Sequence, residues 1–471
     1  MFTFSGFRDG HCHPLFASRE GQGPDVTGLE SASQIAAVLG DFLKSHPETV
    51  WLDCGSYSPD LVASDDLNRA TLDAASTTVP IVVHASDHHS IWVNSAALKV
   101  AGFSDSAPAL EHARFATDTD GRPSGLVFEW DAMSLIYAHQ PKPSLESDLE
   151  ALDRAQRRLL AAGVVAVQDA WIDRDMETPY LEAARTGQLR VRVNLAPRID
   201  AKQWRNDLNF AKGVRASTRA VGNELLTCNT VKIFIDGVIG AKTALLRADY
   251  CGGGNGQGLW QLSELLEMAL VADSAGFQLH FHAIGDAAVD MALDAIEHIS
   301  LCNGLVDRRP VIAHADLIDQ ASLPRMREFG VISCMQPAWA VPGPELNAAV
   351  KLLGNNRASR LYPLRSLLDA GVRVSFGSDW PVSPPEPVHG LWGATLRRSA
   401  PESAAQHSPE QAISRSEAIF AYSTAVAHQL GQESAQDVVT FDVDLLTCSP
   451  SEMLTATATS VTVAGRKVWP Y

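Results

Sequence analysis

Basic residues are scarce in this 471-residue chain. Its 38 Lys and Arg are outnumbered by 55 Asp and Glu, so the formal net charge is −17 at pH 7. A protein that binds nucleic acid needs a basic face for the phosphates, and an anionic membrane surface attracts the same kind of charge. The composition therefore argues against both kinds of partner.

Long apolar runs and paired cysteines are also missing. No stretch is long and apolar enough to span a bilayer, and the N-terminus has no basic run followed by an apolar region. The seven cysteines are scattered, and none forms a Cys-x-x-Cys pair. These features predict a cytoplasmic protein with reduced thiols rather than a secreted, disulfide-bonded one.

Short β-rich apolar runs alternate with helical segments along most of the chain. This alternation implies a parallel sheet, and eight repeats predict an α/β fold of the (β/α)₈ TIM-barrel type. The predicted strands are residues 7–13, 164–170, 190–197, 231–237, 277–285, 310–316, 331–337 and 373–382. The predicted helices are residues 146–162, 261–275, 286–300, 319–329, 359–370 and 411–430.

Two regions do not follow this repeat. Residues 55–145 are far longer than an ordinary loop between a strand and a helix, and they predict an inserted lobe over the barrel mouth. Residues 431–471 alternate like strands and predict a small, reduced C-terminal β module. The barrel itself is then expected to comprise residues 1–54 and 146–430.

Polar side chains gather at the predicted carboxyl ends of the strands, where barrel enzymes hold their active sites. His11 and His13 lie on the same face of one strand, so two imidazoles reach one region of space. A lone strand histidine is more often a hydrogen-bonded core residue, but a whole set on one rim favours a metal site. The set is His11, His13, Lys232, His280, His282, His314 and Asp379.

Lys232 is the most informative member of this set. It lies in Val-Lys-Ile-Phe-Ile, so its strand is predicted to be buried on both faces. A buried ammonium without a partner tends to lose its proton. The neutral amine would be able to form a Schiff base, or to take up carbon dioxide and give a carbamate that bridges two metal ions. The alternative is a lysine that snorkels from a strand end.

These motifs resemble the amidohydrolase superfamily. The similarity is to its amidohydrolase-3 branch, which includes N-substituted formamide deformylases and YtcJ-like metal-dependent hydrolases. The resemblance implies a site for two divalent metal ions, usually zinc. The matching segments occur in order through nearly the whole chain, at residues 9–14, 92–98, 232–244, 282–286, 314–318 and 377–382.

The resemblance also implies roles for individual residues. His11 and His13 would hold the more buried metal ion, and His282 and His314 would hold the second. Lys232, carboxylated to a carbamate, would bridge the two ions.

Asp379 would bind the first metal ion and act as the general acid/base. The implied reaction is hydrolysis of an amide-type, non-peptide carbon–nitrogen bond in a small molecule by metal-activated hydroxide. The products would be a carboxylic acid and an amine.

Three alternatives stand beside this hypothesis. The first is a mononuclear-metal deaminase of the same superfamily, against which a bridging Lys232 argues. The second is a non-catalytic barrel that serves as a binding or regulatory protein, against which the complete ligand set argues. The third is a non-hydrolytic reaction such as isomerisation at the same metal pair.

Four further residues are candidates for substrate contacts. His89, Trp92 and Glu129 fall in the predicted lobe, where a folded lobe surface is an equally good interpretation. His280 shares a strand face with His282, so it is a candidate for substrate binding, for a position behind the ligands, or for the core.

The front of the chain departs from the resemblance. Relatives usually carry several strands before the His-x-His strand, and these pair with C-terminal strands in a β-sandwich. Only about six residues precede Phe7 here, so the partner strands are expected to be absent or supplied otherwise. Because unpaired edges invite association, we expect a reduced sandwich or a homodimer contact through this region.

Overall fold

The computed structural model of the protein describes residues 2–58, 61, 66–110, 113–433 and 435–470. They form two compact units. Unit 1 consists of Met1–Leu15 and Leu149–Tyr471, and unit 2 consists of Phe16–Asp148. Within the described ranges, no helix is long and apolar enough to cross a membrane.

The secondary structure alternates between short strands and helices. The strands are β1 Phe2–Ser5, β2 Phe7–Cys12, β3 Leu52–Tyr57, β4 Ile81–Ala85, β5 Ser90–Val93, β6 Arg114–Thr117, β7 Pro123–Phe128, β8 Val164–Ile172, β9 Arg192–Ile199, β10 Leu226–Thr227, β11 Thr230–Phe234, β12 Gln278–Ala283, β13 Val311–His314, β14 Ile332–Met335, β15 Arg373–Phe376, β16 Val438–Phe441, β17 Ala458–Val463 and β18 Arg466–Trp469. The helices are α1 Pro14–Glu20, α2 Ala32–Ser45, α3 Arg69–Asp73, α4 Ser95–Val100, α5 Trp130–Tyr137, α6 Leu145–Ala161, α7 Glu177–Arg185, α8 Trp204–Val221, α9 Leu262–Ser274, α10 Asp286–Asn303, α11 Leu323–Glu328, α12 Pro344–Leu353, α13 Asn355–Ala358, α14 Leu364–Asp369, α15 Pro387–Leu396, α16 Arg415–Phe420, α17 Val426–Gln429 and α18 Pro450–Thr455.

The main sheet of unit 1 is a nearly closed barrel of eight parallel strands. Its order is β15-β14-β13-β12-β11-β9-β8-β2, and the short β10 pairs with β9. The two ends meet through the backbone, since the amide of Asp379 donates to the carbonyl of His11 at 2.7 Å. The amide of His13 likewise donates to the carbonyl of Trp380 at 2.8 Å. The predicted TIM barrel is confirmed.

The barrel strands are apolar because both faces of the sheet are covered. Every residue of β13 and β14 is buried, and in β12 only Gln278 is partly exposed. Between the strands, α7 and α8 complete the repeat in stretches for which the sequence analysis assigned no helix. The helix predicted at 359–370 is shorter and is confined to Leu364–Asp369. In the segment predicted as one helix at 411–430, a π-helical turn at Ala421–Ala425 separates α16 from α17.

The C-terminal β module is a single antiparallel sheet in the order β1-β16-β17-β18. Its first strand comes from the N-terminus, where Phe2 lies opposite Phe441 and Ser5 lies opposite Val438. The expectation that the residues before Phe7 supply no partner strand is therefore wrong, because four residues suffice to pair one edge of β16. The homodimer contact stays a prediction.

Unit 2 has its own five-stranded mixed sheet, in the order β3-β4-β5-β7-β6. The β3–β4 pair is parallel, and the other pairs are antiparallel. Ile35 and Leu39 of α2 pack with Ile81 and Trp92 in its core. This packing explains why the unit begins at Phe16 rather than at the expected residue 55. Its placement over the barrel mouth stays a prediction.

Candidate active site

The carboxyl ends of the barrel strands bring the predicted metal ligands of unit 1 together. His11 lies in β2, Lys232 in β11 and His282 in β12, while His314 ends β13. Asp379 follows the end of β15 by three residues, so it lies in a loop although the sequence predicts a strand over 373–382. These side chains are buried, so the site is screened from bulk water.

A tight cluster stands at the centre of this site. His11, His314 and Asp379 each offer one ligand atom within 4.8 Å of the other two. His11 Nε2 lies 3.2 Å from Asp379 Oδ1, and the rings of His11 and His314 are 4.8 Å apart. Two more residues join it: His13 Nε2 lies 2.9 Å from Asp379 Oδ1, and Lys232 Nζ lies 3.1 Å from His11 Nε2.

His282 lies beside this cluster rather than in it. Its ring is 4.5 Å from the ring of His314, but its Nε2 lies 3.2 Å from the carbonyl oxygen of Gly237. The same nitrogen is 3.7 Å from Asp236 Oδ1. The carboxylate of Asp236 accepts hydrogen bonds from the amides of Ile284 and Gly285, so it holds the loop that follows β12.

His280 supports His11 from behind. It is fully buried, and its Nε2 lies 2.9 Å from His11 Nδ1. A metal needs the lone pair of His11 Nε2, so the ring proton of His11 must be on Nδ1. Nδ1 then donates a hydrogen bond to His280 Nε2. Burial and this contact fit a positioning role for His280 rather than the substrate contact suggested from the sequence.

The electrostatics of the site favour the forms that bind metal. Burial lowers the pKa of Lys232 to about 7, and Asp379 opposes this only in part. Burial also lowers the pKa of His314 to about 4. For Asp379, burial raises the pKa, but the contacts with His11 and His13 outweigh it and hold the pKa well below its usual range. Neutral imidazoles and an ionised carboxylate are the donors that a divalent cation requires.

The structure adds two residues behind the predicted ligands for which the sequence suggested no role. Asp9 Oδ1 accepts from the amides of His11 and Ser378, at 3.0 Å each, and so ties β2 to the loop that carries Asp379. Gln336 Oε1 lies 2.8 Å from His314 Nδ1. Asp9 stands two residues before His11 on the same strand face, a signal that the sequence already contained.

The substrate-contact candidates of the lobe lie in unit 2. His89 Nδ1 and Glu129 Oε2 are 2.9 Å apart. Trp92 is fully buried in the core of the unit, and its indole Nε1 donates to the carbonyl of Asn68 at 2.9 Å. Packing accounts for Trp92, and no part of its side chain is exposed to a substrate.

Comparison with known proteins identifies the family of the chain. A sequence model described as the Amidohydrolase family matches residues 1–469. The chain belongs to this family. The predicted family and enzyme class are confirmed, and the donor set described above fits the divalent metal on which such hydrolases depend.

Curated relatives of this amidohydrolase cover most of the chain. LONG AFTER FAR-RED 3 of Arabidopsis thaliana is 28% identical over 99% of this chain and 82% of its own length. YtcJ of Bacillus subtilis (strain 168) is 27% identical over 95% of this chain and 83% of its own. The N-substituted formamide deformylase of Arthrobacter pascens is 25% identical over 95% of this chain and 84% of its own length.

A solved structure supports the fold of the amidohydrolase. An uncharacterized metal-dependent hydrolase from Pyrococcus horikoshii superposes with a TM-score of 0.73 at 21% identity. The match covers 95% of this chain and 87% of the other. The barrel and its additional modules therefore have a counterpart among solved structures.

Proposed function

We propose that this amidohydrolase hydrolyses an amide-type, non-peptide carbon–nitrogen bond of a small molecule. The observation that carries the proposal is the convergence of His11, His314 and Asp379 within ligand distance, with His13 and Lys232 joined to them. His282 completes the donor set beside His314. The proposed cofactor is a pair of divalent metal ions, with zinc as the metal.

When bound, the metal ions supply Lewis acidity that polarises the substrate carbonyl and lowers the pKa of water. Asp379 does the proton transfer. Its carboxylate is ionised at neutral pH, so it can accept a proton from the attacking water. The same oxygen then returns the proton to the leaving nitrogen. His13, at 2.9 Å from Asp379 Oδ1, keeps this carboxylate oriented.

Lys232 contributes through its neutral amine. With a pKa of about 7, an appreciable fraction of the side chain is uncharged at neutral pH. The free amine attacks the carbon of carbon dioxide, a nitrogen–carbon bond forms, and one proton is released. The resulting carbamate replaces the neutral amine by an anionic oxygen donor next to His11, which would suit a bridge between two ions.

One observation favours a second candidate, a mononuclear-metal deaminase. Among the described residues of the barrel, the cluster within 4.8 Å contains three donors, and three protein ligands suffice for one catalytic ion. Metal stoichiometry separates the two: the proposal requires two ions in the barrel, and the deaminase requires one.

The experiment is a substrate screen with zinc- or manganese-loaded protein. The substrate panel consists of N-formyl and N-acyl amines, with the Arthrobacter pascens relative's name as the reason to include N-substituted formamides. Mass spectrometry should detect an acid and an amine in equal amounts. Asp379→Asn should abolish turnover, and the exposed Asp41→Asn should not. Release of ammonia from an amino-substituted ring, with no acid formed, would favour the deaminase.

A further inference from the structure

Unit 2 contains a second group of ligand-type side chains. Glu20 ends α1, His84 lies in β4, and His88 lies in the turn that joins β4 to β5. Each offers one ligand atom within 4.8 Å of the other two. None of the three belongs to the barrel set, and all three lie within Phe16–Asp148.

The group is largely buried, and it joins two imidazoles to one carboxylate. The side chains of Glu20, His84 and His88 are 9%, 1% and 13% exposed. His88 Nε2 lies 2.7 Å from Glu20 Oε2. The ring of Phe16 borders both histidines, with centroids 5.7 and 5.8 Å away, so one side of the group is apolar. Charged groups persist in such surroundings only with partners.

A further carboxylate orients His84. Asp53 Oδ1 lies 2.7 Å from His84 Nε2, and Gln140 Nε2 donates to Asp53 Oδ2 at 2.9 Å. The hydroxyl of Tyr137 lies 3.2 Å from Nε2 and 3.4 Å from Nδ1 of His84. A carboxylate on one imidazole nitrogen leaves the other nitrogen with its lone pair, and metal-binding histidines are held in this way.

The backbone is adapted to the group at two positions. A Cβ on Gly55 would lie 1.5 Å from Glu20 Oε1, so the carboxylate of Glu20 rests where only glycine leaves room. His88 has φ of 57°, in the left-handed region that favours glycine. Histidine enters this region more often than most residues, but a functional constraint is a common reason for it to do so.

The charges around the group favour a cation. The carboxylate of Asp53 contacts His84, and the carboxylate of Glu20 contacts His88. A bound cation would balance the negative charge of these two buried or half-buried carboxylates.

We propose that Glu20, His84 and His88 form a metal site within unit 2 that binds a divalent transition metal of the zinc class independently of the barrel. Two histidines and one glutamate are a zinc ligand set that leaves a fourth, tetrahedral position for water. Ligand distances of about 2.0–2.2 Å place neighbouring donor atoms about 3.3 Å apart. Binding therefore opens the 2.7 Å contact between His88 and Glu20 and releases the proton between them.

The site would link three elements of the unit. Glu20 anchors the end of α1, His84 anchors β4, and His88 anchors the turn after β4. An ion that binds all three stabilises the folded unit in proportion to its occupancy. The site thus adds structural stability, and it is separate from the hydrolytic chemistry proposed above.

The test uses the full chain with the barrel site disabled by His11→Gln and Asp379→Asn. We expect this protein to retain one equivalent of zinc by elemental analysis after dialysis against zinc. Adding Glu20→Gln and His88→Gln should reduce the zinc to less than about one-tenth of an equivalent. Cobalt loading gives a second readout, since visible absorption of four-coordinate cobalt should disappear with the same two substitutions.

Matched controls are Glu30→Gln and His46→Gln, which change the same residue types at exposed positions of unit 2. They should leave the zinc and the cobalt absorption unchanged, and circular dichroism checks that each variant is folded. A crystal of the unaltered protein grown with zinc should show an anomalous scattering peak among Glu20, His84 and His88. No peak there at zinc saturation, or no zinc loss with the two substitutions, would overturn the proposal. If the substituted chain does not fold, the crystal measurement decides.

Discussion

The barrel and unit 2 each gather histidines and carboxylates, but they do so by different structural means. In the barrel, the donors come from the same ends of parallel strands, whose register sets Lys232 opposite His280 and Ala283 opposite His314. In unit 2, they come from the end of a helix, a strand and a turn. The barrel group follows from topology, whereas the unit 2 group depends on one particular packing arrangement.

The two groups also differ in what lies behind the ligands. In the barrel, a second imidazole, His280, contacts His11, and Asp9 ties two chain segments together. In unit 2, the carboxylate of Asp53 contacts His84. Carboxylates raise the pKa of His84, whereas burial and Lys232 lower the pKa of His11. We infer from this difference that similar donors serve catalysis in the barrel and structural stability in unit 2.

Asp379→Asn should have the largest effect, a loss of turnover at the barrel site. The amide cannot take a proton from water, so we expect kcat to fall by about 10³-fold on any substrate that the screen identifies. Initial-rate kinetics measure the effect. The cobalt absorption proposed for unit 2 should be unchanged, and turnover within a factor of about two of the unaltered enzyme would contradict the role of Asp379.

Lys232→Met should remove a pH dependence of stability. Burial holds the pKa of Lys232 at about 7 in the folded chain, against 10.5 ordinarily. Between these values the unfolded chain binds a proton that the folded chain does not. The free energy of unfolding of the metal-free protein should therefore rise with pH, by up to about 1.4 kcal/mol per unit.

Urea denaturation at pH 7.5, 8.5 and 9.5, in chelator and carbon dioxide-free buffer, measures this slope for both proteins. The plot of unfolding free energy against pH should be flatter for Lys232→Met, by up to about 1.4 kcal/mol per pH unit, because methionine binds no proton in either state. Parallel curves would show that Lys232 keeps its ordinary pKa in the fold. Lys212, an exposed lysine of α8, provides the matched Lys→Met control.

His280→Leu should weaken metal binding in the barrel without removing a ligand. Loss of the 2.9 Å contact leaves the imidazole of His11 free to rotate, and we expect an affinity loss of about 10–100-fold. Competition with a chromogenic chelator measures it. His280→Gln retains a hydrogen-bonding group and should recover part of the affinity. Equal affinities for the leucine and glutamine variants would contradict a positioning role.

Gly55→Ala tests the packing on which the unit 2 group depends. The added methyl would displace the carboxylate of Glu20 from His88 and destabilise the fold by about 1–3 kcal/mol. In the barrel-disabled background, the zinc retained by unit 2 should fall as well. Unchanged zinc retention would show that the close approach of Gly55 and Glu20 does not shape the site.

Gly213→Ala is the matched control, and it has the smallest expected effect. Gly213 is exposed within α8, and nothing lies within 4 Å of an added Cβ. Alanine should stabilise the helix by about 0.5–1 kcal/mol, because glycine loses more backbone entropy on folding. Urea denaturation should show this gain, with zinc content unchanged. A loss of stability would mean that the helix is constrained at this position.

The barrel was predictable because buried parallel strands leave a direct trace in the sequence. All eight predicted strands occur, although the one at 373–382 ends at Phe376. Strand β1 was not predictable, since four residues form a strand only when β16 is there to pair with them. Unit 2 begins before the predicted residue 55, because the packing of α2 against β4 leaves no local pattern in the sequence.

The candidate active site was likewise predictable only in part. Every predicted ligand lies in a barrel strand or within three residues of its end, but the structure separates His282 from the three donors at the centre. Gln336 was not predicted, and a position of His280 behind the ligands was only one of three alternatives, because each role depends on a contact between neighbouring strands or their ends.

By itself, the sequence determined the family, the parallel barrel and the strand ends near which the proposed metal ligands lie. The apolar strands and the order in which they alternate with helices can be read along the chain. Polar residues such as His11 and Asp379 then mark the strand ends. Only the tertiary structure decided which donor atoms approach one another and what holds them there. The grouping of Glu20, His84 and His88 joins residues up to 68 positions apart, and no local pattern records such a distance.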